Sequence, residues 1–198
     1  MYVDRMFDIP FYVSNGEFQK HETFKKKLQE RRDEFCCEAN RFYGTGYSTI
    51  HTNNQLHKEY PEFEEFVLQK QELFDPDLRF KYTWVNINPP GGYQMRHNHC
   101  DCDVAGTYYV EVPVGDSGDL LFSHPATAVE TLNRIKPYWP GTHCQIPREQ
   151  DLYCWPGYQD HEVRTNNTEE ERWTVSFMLE IPRTVREQRF PSLRDQTS

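Results

Sequence analysis

"WVNINPPGGYQMRHNHCDC", residues 84–102, joins a strand-like run to a turn and then to a dense group of metal ligands. Trp84, Val85 and Ile87 are residues that fit a pleated, buried surface. Pro89-Pro90-Gly91-Gly92 then ends any regular element, because two rings without an amide hydrogen precede two glycines. Beyond the turn, His97, His99 and Asp101 stand two residues apart, and on an extended backbone that spacing turns all three to one face. Cys100 and Cys102 alternate with them. The cluster suits a zinc knot, a redox loop or part of an open catalytic metal site.

Downstream, the texture of this stretch repeats. "RFKYTWVNI" (79–87), "GTYYVEVPV" (106–114), "GDLLFSH" (118–124), "QDLYCWP" (150–156), "HEVRTN" (161–166) and "RWTVSFMLEI" (172–181) are short, aromatic or β-branched, and set apart by Pro, Gly and Asn. Many short strands with such punctuation predict a sandwich, barrel or jelly roll. Upstream, residues 17–43 carry a helical pattern of Phe18, Phe24, Leu28, Phe35 and Ala39 with charges between them. A second helix is expected over 62–74, with Phe63, Phe66, Val67 and Phe74 on one side, Pro61 in its first turn and Asp75-Pro76 at its end. Helices followed by a run of strands make an α+β chain whose helices brace one sheet. The expected organisation is a single domain over 1–198: a helical support at 1–78, a β core at 79–181 and a loose polar tail at 182–198. The aromatic helix pair also offers a surface for a homodimer.

The chain's 198 residues suffice for a sizeable core, and aromatic residues make up 15% of them. A net charge of -9 and the lack of a long basic run argue against a nucleic-acid partner. No apolar stretch is long enough to span a bilayer, and the first sixteen residues lack a signal peptide's apolar run, so no membrane association is expected. The expected location is cytoplasmic, with the six cysteines as reduced thiols. Asn166-Asn167-Thr168 then reads as a chance sequon.

A third metal ligand from a distant strand would complete a facial triad with open positions. His161, in "WPGYQDHEV", is the candidate. Arg172 follows eleven residues later and opens a strand whose same-face neighbours are Thr174 and Ser176. An arginine on an otherwise apolar strand needs an anionic partner, which the carboxylate of a cosubstrate would supply bidentately.

These motifs, in this order over roughly residues 79–181, resemble the iron(II)- and 2-oxoglutarate-dependent oxygenases, and most closely the prolyl-hydroxylase-like branch with its bacterial and phage members. "WVNINPPGGYQMRHNH" is similar to that family's strand, Gly-rich turn, tyrosine and metal-binding pair. "AGTYYVEVP", "SGDLLFSHP" and "DLYCWPGYQDHEV" resemble the strands that follow. The resemblance implies a double-stranded β-helix, which is a jelly-roll or cupin-like fold, with N-terminal bracing helices. It also implies Fe(II), 2-oxoglutarate as cosubstrate, O2, and ascorbate as an auxiliary reductant. His161 would be the distal iron ligand and Arg172 the partner of the cosubstrate's far carboxylate, helped by Thr174, with Tyr109 near that carboxylate and Asn86 facing the cavity.

The opening motif departs from the family. Aligned on "GGYQMRH", the ligands are His97 and His99, with histidine where relatives usually carry a carboxylate. Read literally as H-x-D, they are His99 and Asp101. The activity implied is hydroxylation of a peptidyl or small-molecule substrate. Two other readings stand beside it. One is a cupin-like dioxygenase or isomerase with three histidines and no cosubstrate. The other is a binding module whose structural zinc is held by His97 and His99 with Cys100, Cys102, His143, Cys144 or Cys154.

Overall fold

The computed structural model describes residues 9–42, 45–71, 74–125 and 141–191. Among these residues eleven strands form two antiparallel sheets. In chain order they are β1 (Tyr12–Asn15), β2 (Arg41–Phe42), β3 (Gly46–Ser48), β4 (Arg79–Asn88), β5 (Gln94–His97), β6 (Val104–Glu111), β7 (Leu120–Ser123), β8 (Thr142–Gln145), β9 (Asp151–Pro156), β10 (His161–Val163) and β11 (Arg172–Glu180). The larger sheet runs β1-β9-β6-β11-β4-β3-β2 and the smaller β5-β10-β7-β8. From β4 onward consecutive strands lie in opposite sheets, with the exception of the paired β7 and β8. The chain thereby winds back and forth between two layers, as in a jelly roll.

Period-two alternation decides what each face of the larger sheet meets. Trp173, Val175, Phe177 and Leu179 of β11, with Val85 and Ile87 of β4 and Tyr108 of β6, join the helices in one core. The intervening residues Arg172, Thr174 and Ser176, with Trp84, Asn86 and Tyr109, line a cavity on the other face. The adjacent tyrosines Tyr108 and Tyr109 thus serve opposite sides, both fully buried. A second core of Ala105, Tyr109, Leu120, Phe122, Tyr153, Trp155 and Val163 fills the space between the sheets.

The helices are α1 (His21–Gln29), α2 (Arg32–Phe35), α3 (Leu56–Glu59), α4 (Pro61–Gln71) and α5 (Arg183–Arg189). Phe18, Phe24, Phe63 and Phe66 stack edge-to-face or in parallel around Tyr108, with ring centroids 4.9–6.4 Å apart where they touch. Each fully buried phenyl contributes about 1.5–3 kcal/mol. The aromatic helix face that the sequence offers for a dimer is covered within the chain by its own sheet.

Two local expectations need correction, that of one long helix and that of a loose tail. Residues 17–43 do not form one helix: α1 ends at Gln29, a tight turn follows, and after α2 a 3-10 turn leads into β2. The Asn40 side chain donates to the Glu34 carbonyl at 3.1 Å and takes over a backbone acceptor that a continuous helix would use. Asn40 is buried in consequence, and Ala39, read as core, is exposed. The tail is ordered through its first half, because Arg186 pairs with Asp103, and Arg189 with Asp75 and Asp77, to pin α5. Asn166 is buried and donates to the carbonyls of Asn88 and Glu170 at 3.0 and 2.8 Å, so the sequon is a structural clamp.

Gly106, on β6, is under a tight steric demand. A Cβ there would sit 2.3 Å from the Phe177 ring and 2.8 Å from the Tyr153 carbonyl oxygen. Phe177 is buried and has nowhere to move. Gly106→Ala is therefore expected to cost about 2 kcal/mol, a typical overpacking penalty. Urea denaturation checks this, and an unchanged midpoint would show that the two sheets are less tightly packed than described.

Candidate active site

The cavity between the sheets brings together the histidines that the sequence separates. β10 pairs antiparallel with β5 so that His161 lies directly opposite His97, and directly opposite Phe122 of β7 on its other side. His99 stands just past the end of β5 and is turned back into the site. Its amide donates to the Gly157 carbonyl at 2.8 Å, and its carbonyl accepts from the Cys102 amide at 3.0 Å. Gly157 must be glycine, since a Cβ there would come within 2.4 and 2.6 Å of the Cys102 and His99 carbonyl oxygens. Asn98 adds a bond of 2.7 Å to the Asp160 carboxylate. The "WPGYQDH" turn and the "RHNHC" turn are thus stitched to each other on both sides of the histidines.

Ligand nitrogens of His97, His99 and His161 all lie within 4.8 Å of one another. His97 Nδ1 donates to the Met95 carbonyl at 2.7 Å and His161 Nδ1 to the Gln159 carbonyl at 3.0 Å. Those bonds set the tautomer and leave each Nε2 as a lone-pair donor, the usual way a protein presents imidazole to a metal. Burial, and then the neighbouring His97, push His99 down to about 4 and hold His161 well below the ordinary imidazole range. Both are therefore neutral, the form that binds metal.

Asp101 does not join this group. Its exposed carboxylate lies 3.3 Å from Lys81, whose ammonium also bonds the Asp101 carbonyl. The cysteines stay apart too: among the described residues no thiol belongs to a metal-ligating group with His97 or His99. Cys144 rests on Asp119 and Cys102 on the Val104 carbonyl.

Arg172, 1% exposed, lines the same cavity of about 100 Å³ as the three histidines. Its Nη1 donates to the carbonyls of Ser117 and Gly118 at 2.9 and 2.5 Å. Gly118 holds its carbonyl there through a left-handed backbone (φ +92°), and a Cβ would strike the Arg164 carbonyl at 2.2 Å. The guanidinium carbon lies 5.9 Å from the Tyr109 ring centre. Nε is buried with no partner, and no carboxylate is within ion-pair distance among the described residues. Burial pushes its pKa down, yet a guanidinium remains charged in proteins. A buried cation that hydrogen-bonds only to neutral carbonyls, with Asp119 acting on it from beyond ion-pair contact, is a demand for an anion.

Thr174 and Asn86 also line the cavity. Asn86 accepts from Trp84 Nε1 at 3.1 Å and donates to Ser176 Oγ at 2.9 Å, which reaches on to Thr107 at 3.3 Å. Burial raises Tyr109 to about 12 and keeps its phenol protonated. The sequence reading missed Trp155, whose ring sits edge-on 4.8 Å from His161, and Phe122, at 6.1 Å. Each was legible only as a strand aromatic.

Residues 82–178 match the model of a protein family described as "Putative 2OG-Fe(II) oxygenase". The match, over just under half of the chain, supports the iron(II)/2-oxoglutarate oxygenase superfamily, and the fold agrees with it. The same fold is seen in a Pseudomonas putida prolyl-4-hydroxylase, at TM-score 0.59, 13% identity and coverage of 87% of this chain and 92% of that one. HygX from Streptomyces hygroscopicus with nickel and 2-oxoglutarate bound is similar at TM-score 0.58 and 15% identity, covering 86% and 82%. The epimerase SnoN, in complex with Fe3+, alpha ketoglutarate and nogalamycin RO, is similar at TM-score 0.62 and 13% identity, covering 86% and 78%. A search of curated protein sequences gives no match. The family match indicates an enzyme of the 2-oxoglutarate/Fe(II) oxygenase class, and it is consistent with iron as the metal and 2-oxoglutarate as cosubstrate.

The depressed imidazoles make a prediction for acid stability. In the unfolded chain His99 titrates near the ordinary 6.5 and in the folded chain near 4, so between those values the unfolded state binds more protons. Stability of the metal-free protein is fully present above pH 6.5 and is lost as pH falls toward 4, with His161 adding in the same direction. Denaturant melts across that window check it: His99→Gln should flatten part of the slope, and an unaltered slope would contradict the neutral, buried state of this ring.

Proposed function

We propose that His97, His99 and His161 hold the iron, that Arg172 anchors the far carboxylate of 2-oxoglutarate, and that the enzyme hydroxylates a small-molecule or peptidyl substrate. The observation that carries this reading is the pairing of two opposite features in one cavity: three imidazoles converging within 4.8 Å, and a buried cation with no carboxylate in ion-pair contact among the described residues. The donor set fits the ion, because imidazole suits iron and three ligands leave positions open. When bound, iron and 2-oxoglutarate supply the oxidation, in which O2 is consumed, the cosubstrate becomes succinate and CO2, and a substrate C–H becomes C–OH.

The chain's own residues do the rest. Met95 and Gln159 carbonyls orient the imidazoles of His97 and His161, and burial keeps His99 and His161 unprotonated at neutral pH. Ser117 and Gly118 carbonyls aim the guanidinium, leaving Nε for a carboxylate; Thr174 and the protonated Tyr109 hydroxyl supplement it. The Asn86–Ser176–Thr107 chain provides polar groups along the wall, and Trp84 and Trp155 exclude water, which strengthens every charge interaction inside. Three neutral ligands bring no negative charge of their own, so the dianionic cosubstrate is the main neutralising partner for both the ion and Arg172.

A three-histidine site without a cosubstrate is the second reading, favoured by the absence of a carboxylate from the triad. It leaves the buried charge of Arg172 without a purpose. No helix among the described residues is long and apolar enough to cross a membrane, and the free cysteines agree with a cytoplasmic setting.

Titrating 2-oxoglutarate into the anaerobic Fe(II) protein should produce a weak visible charge-transfer band, which a cosubstrate-free three-histidine enzyme would not show. Succinate formation with iron, 2-oxoglutarate and ascorbate should disappear in His161→Ala at any concentration. Arg172→Ala should weaken the cosubstrate at least about thirtyfold, as expected when a buried charge pair of 2–5 kcal/mol is broken. Asp101→Asn should stay within about twofold of the parent, since its partner is Lys81. Loss of iron binding in Asp101→Asn would overturn the triad assignment.

A further inference from the structure

The charge around the three histidines is one-sided. The side chains gathered for the metal are all imidazoles, which bind a cation through a lone pair and bring no negative charge. Asp101, the carboxylate at ligand spacing in the sequence, is with Lys81 instead. The imidazoles are backed by neutral groups as well. His97 Nδ1 bonds the Met95 carbonyl at 2.7 Å and His161 Nδ1 the Gln159 carbonyl at 3.0 Å, where a carboxylate would pass negative charge through the ring to the ion.

The cavity wall continues the pattern. Among the described residues no Asp or Glu lines it, while Arg172, buried and cationic, does. Asp119, the acid that acts on Arg172, is outside the lining, 3.3 Å from Cys144 Sγ and 3.9 Å from Arg164. The Tyr109 phenol, pushed up to about 12 by burial, adds no phenolate. A ferrous ion that loses an electron gains a unit of positive charge. Nearby negative charge favours that change and nearby positive charge opposes it, most strongly where burial lowers the dielectric. Ligand charge, hydrogen bonding to the ligands and burial are a protein's levers on an iron potential, and here all three act toward Fe(II).

We infer that this cavity is charged to hold iron as Fe(II) and to oppose its oxidation until a dianion such as 2-oxoglutarate enters, with His99 and Arg172 setting the balance. For the iron and the dianion this rests on the oxygenase reading above. The reaction opposed is the transfer of one electron from Fe(II) to O2, which leaves Fe(III) and superoxide. A dianion lying between the ion and Arg172 cancels positive charge, so its arrival makes the iron more reducing once the cosubstrate is in place.

The test loads the full chain anaerobically with Fe(II) and reads the Fe(III) share by electron paramagnetic resonance during a mediated redox titration, with and without 2-oxoglutarate. At a fixed potential the ratio of Fe(III) to Fe(II) should be at least about tenfold higher in His99→Asp than in the parent. It should be at least about threefold higher in Arg172→Gln, which leaves every imidazole in place and decides the matter should His99→Asp not retain iron. Bound 2-oxoglutarate should raise the parent's ratio at least about tenfold. In air without the cosubstrate, the parent should keep its Fe(II) at least about tenfold longer than His99→Asp. A parent ratio equal to or above that of Arg172→Gln, or one unmoved by 2-oxoglutarate whose charge-transfer band shows it bound, overturns the inference and leaves the oxygenase reading intact. If the variants shift as expected but 2-oxoglutarate gives no band, the cosubstrate assignment falls and the part played by His99 and Arg172 stands. A chain that binds no Fe(II) loses both.

Discussion

The antiparallel register that sets His161 against His97 is the constraint on which the site depends. Sixty-four residues separate these side chains in sequence, and β5 and β10 are only four and three residues long. Strands so short do not hold a register by themselves. The bonds from the His99 amide to the Gly157 carbonyl and from Asn98 to Asp160 hold it, together with the close backbone approach that only a glycine at 157 allows. A slip of one residue would turn His161 away from the cavity and put Glu162 in its place.

Around that register the two charge demands of the cavity oppose each other in a useful way. Burial disfavours charge on His99 and His161 and so leaves lone pairs for a cation. The same burial cannot neutralise Arg172, so its positive charge is available to an anion. The wall between them is polar but uncharged, built from Asn86, Thr107, Thr174 and Ser176. Such a cavity attracts a cation and a dicarboxylate together more readily than either alone.

Several features were legible because they are periodic or obey local rules. The strand-rich second half and the division of Tyr108 and Tyr109 between two faces follow from period-two alternation, while the pairing of His161 with Arg172 eleven residues on is what the family resemblance implied. Less legible were the break after α1, the anchoring of α5 by Arg186 and Arg189, and the short strands β1, β5 and β8. Each depends on a partner far along the chain, such as Asp103 for Arg186, and a short edge strand has no hydrophobic repeat to reveal it. Asp101 marks the limit most plainly. Its spacing from His99 equals that of His97, but the backbone turns after His99 at the Cys102 hydrogen bond and hands the carboxylate to Lys81.

By itself, then, the sequence determined the type of fold and the inventory of chemistry, since alternation and turn residues act over a few positions. It left open which of His97, His99, Asp101 and His161 come together and how deeply Arg172 is buried. Tertiary structure gathers the three histidines, hands Asp101 to Lys81 and buries Arg172, because burial and distance between remote segments are properties of the packed sheets and have no local signature. Which imidazoles meet, and which polar atoms are left wanting a partner, is fixed only when the two layers close on each other.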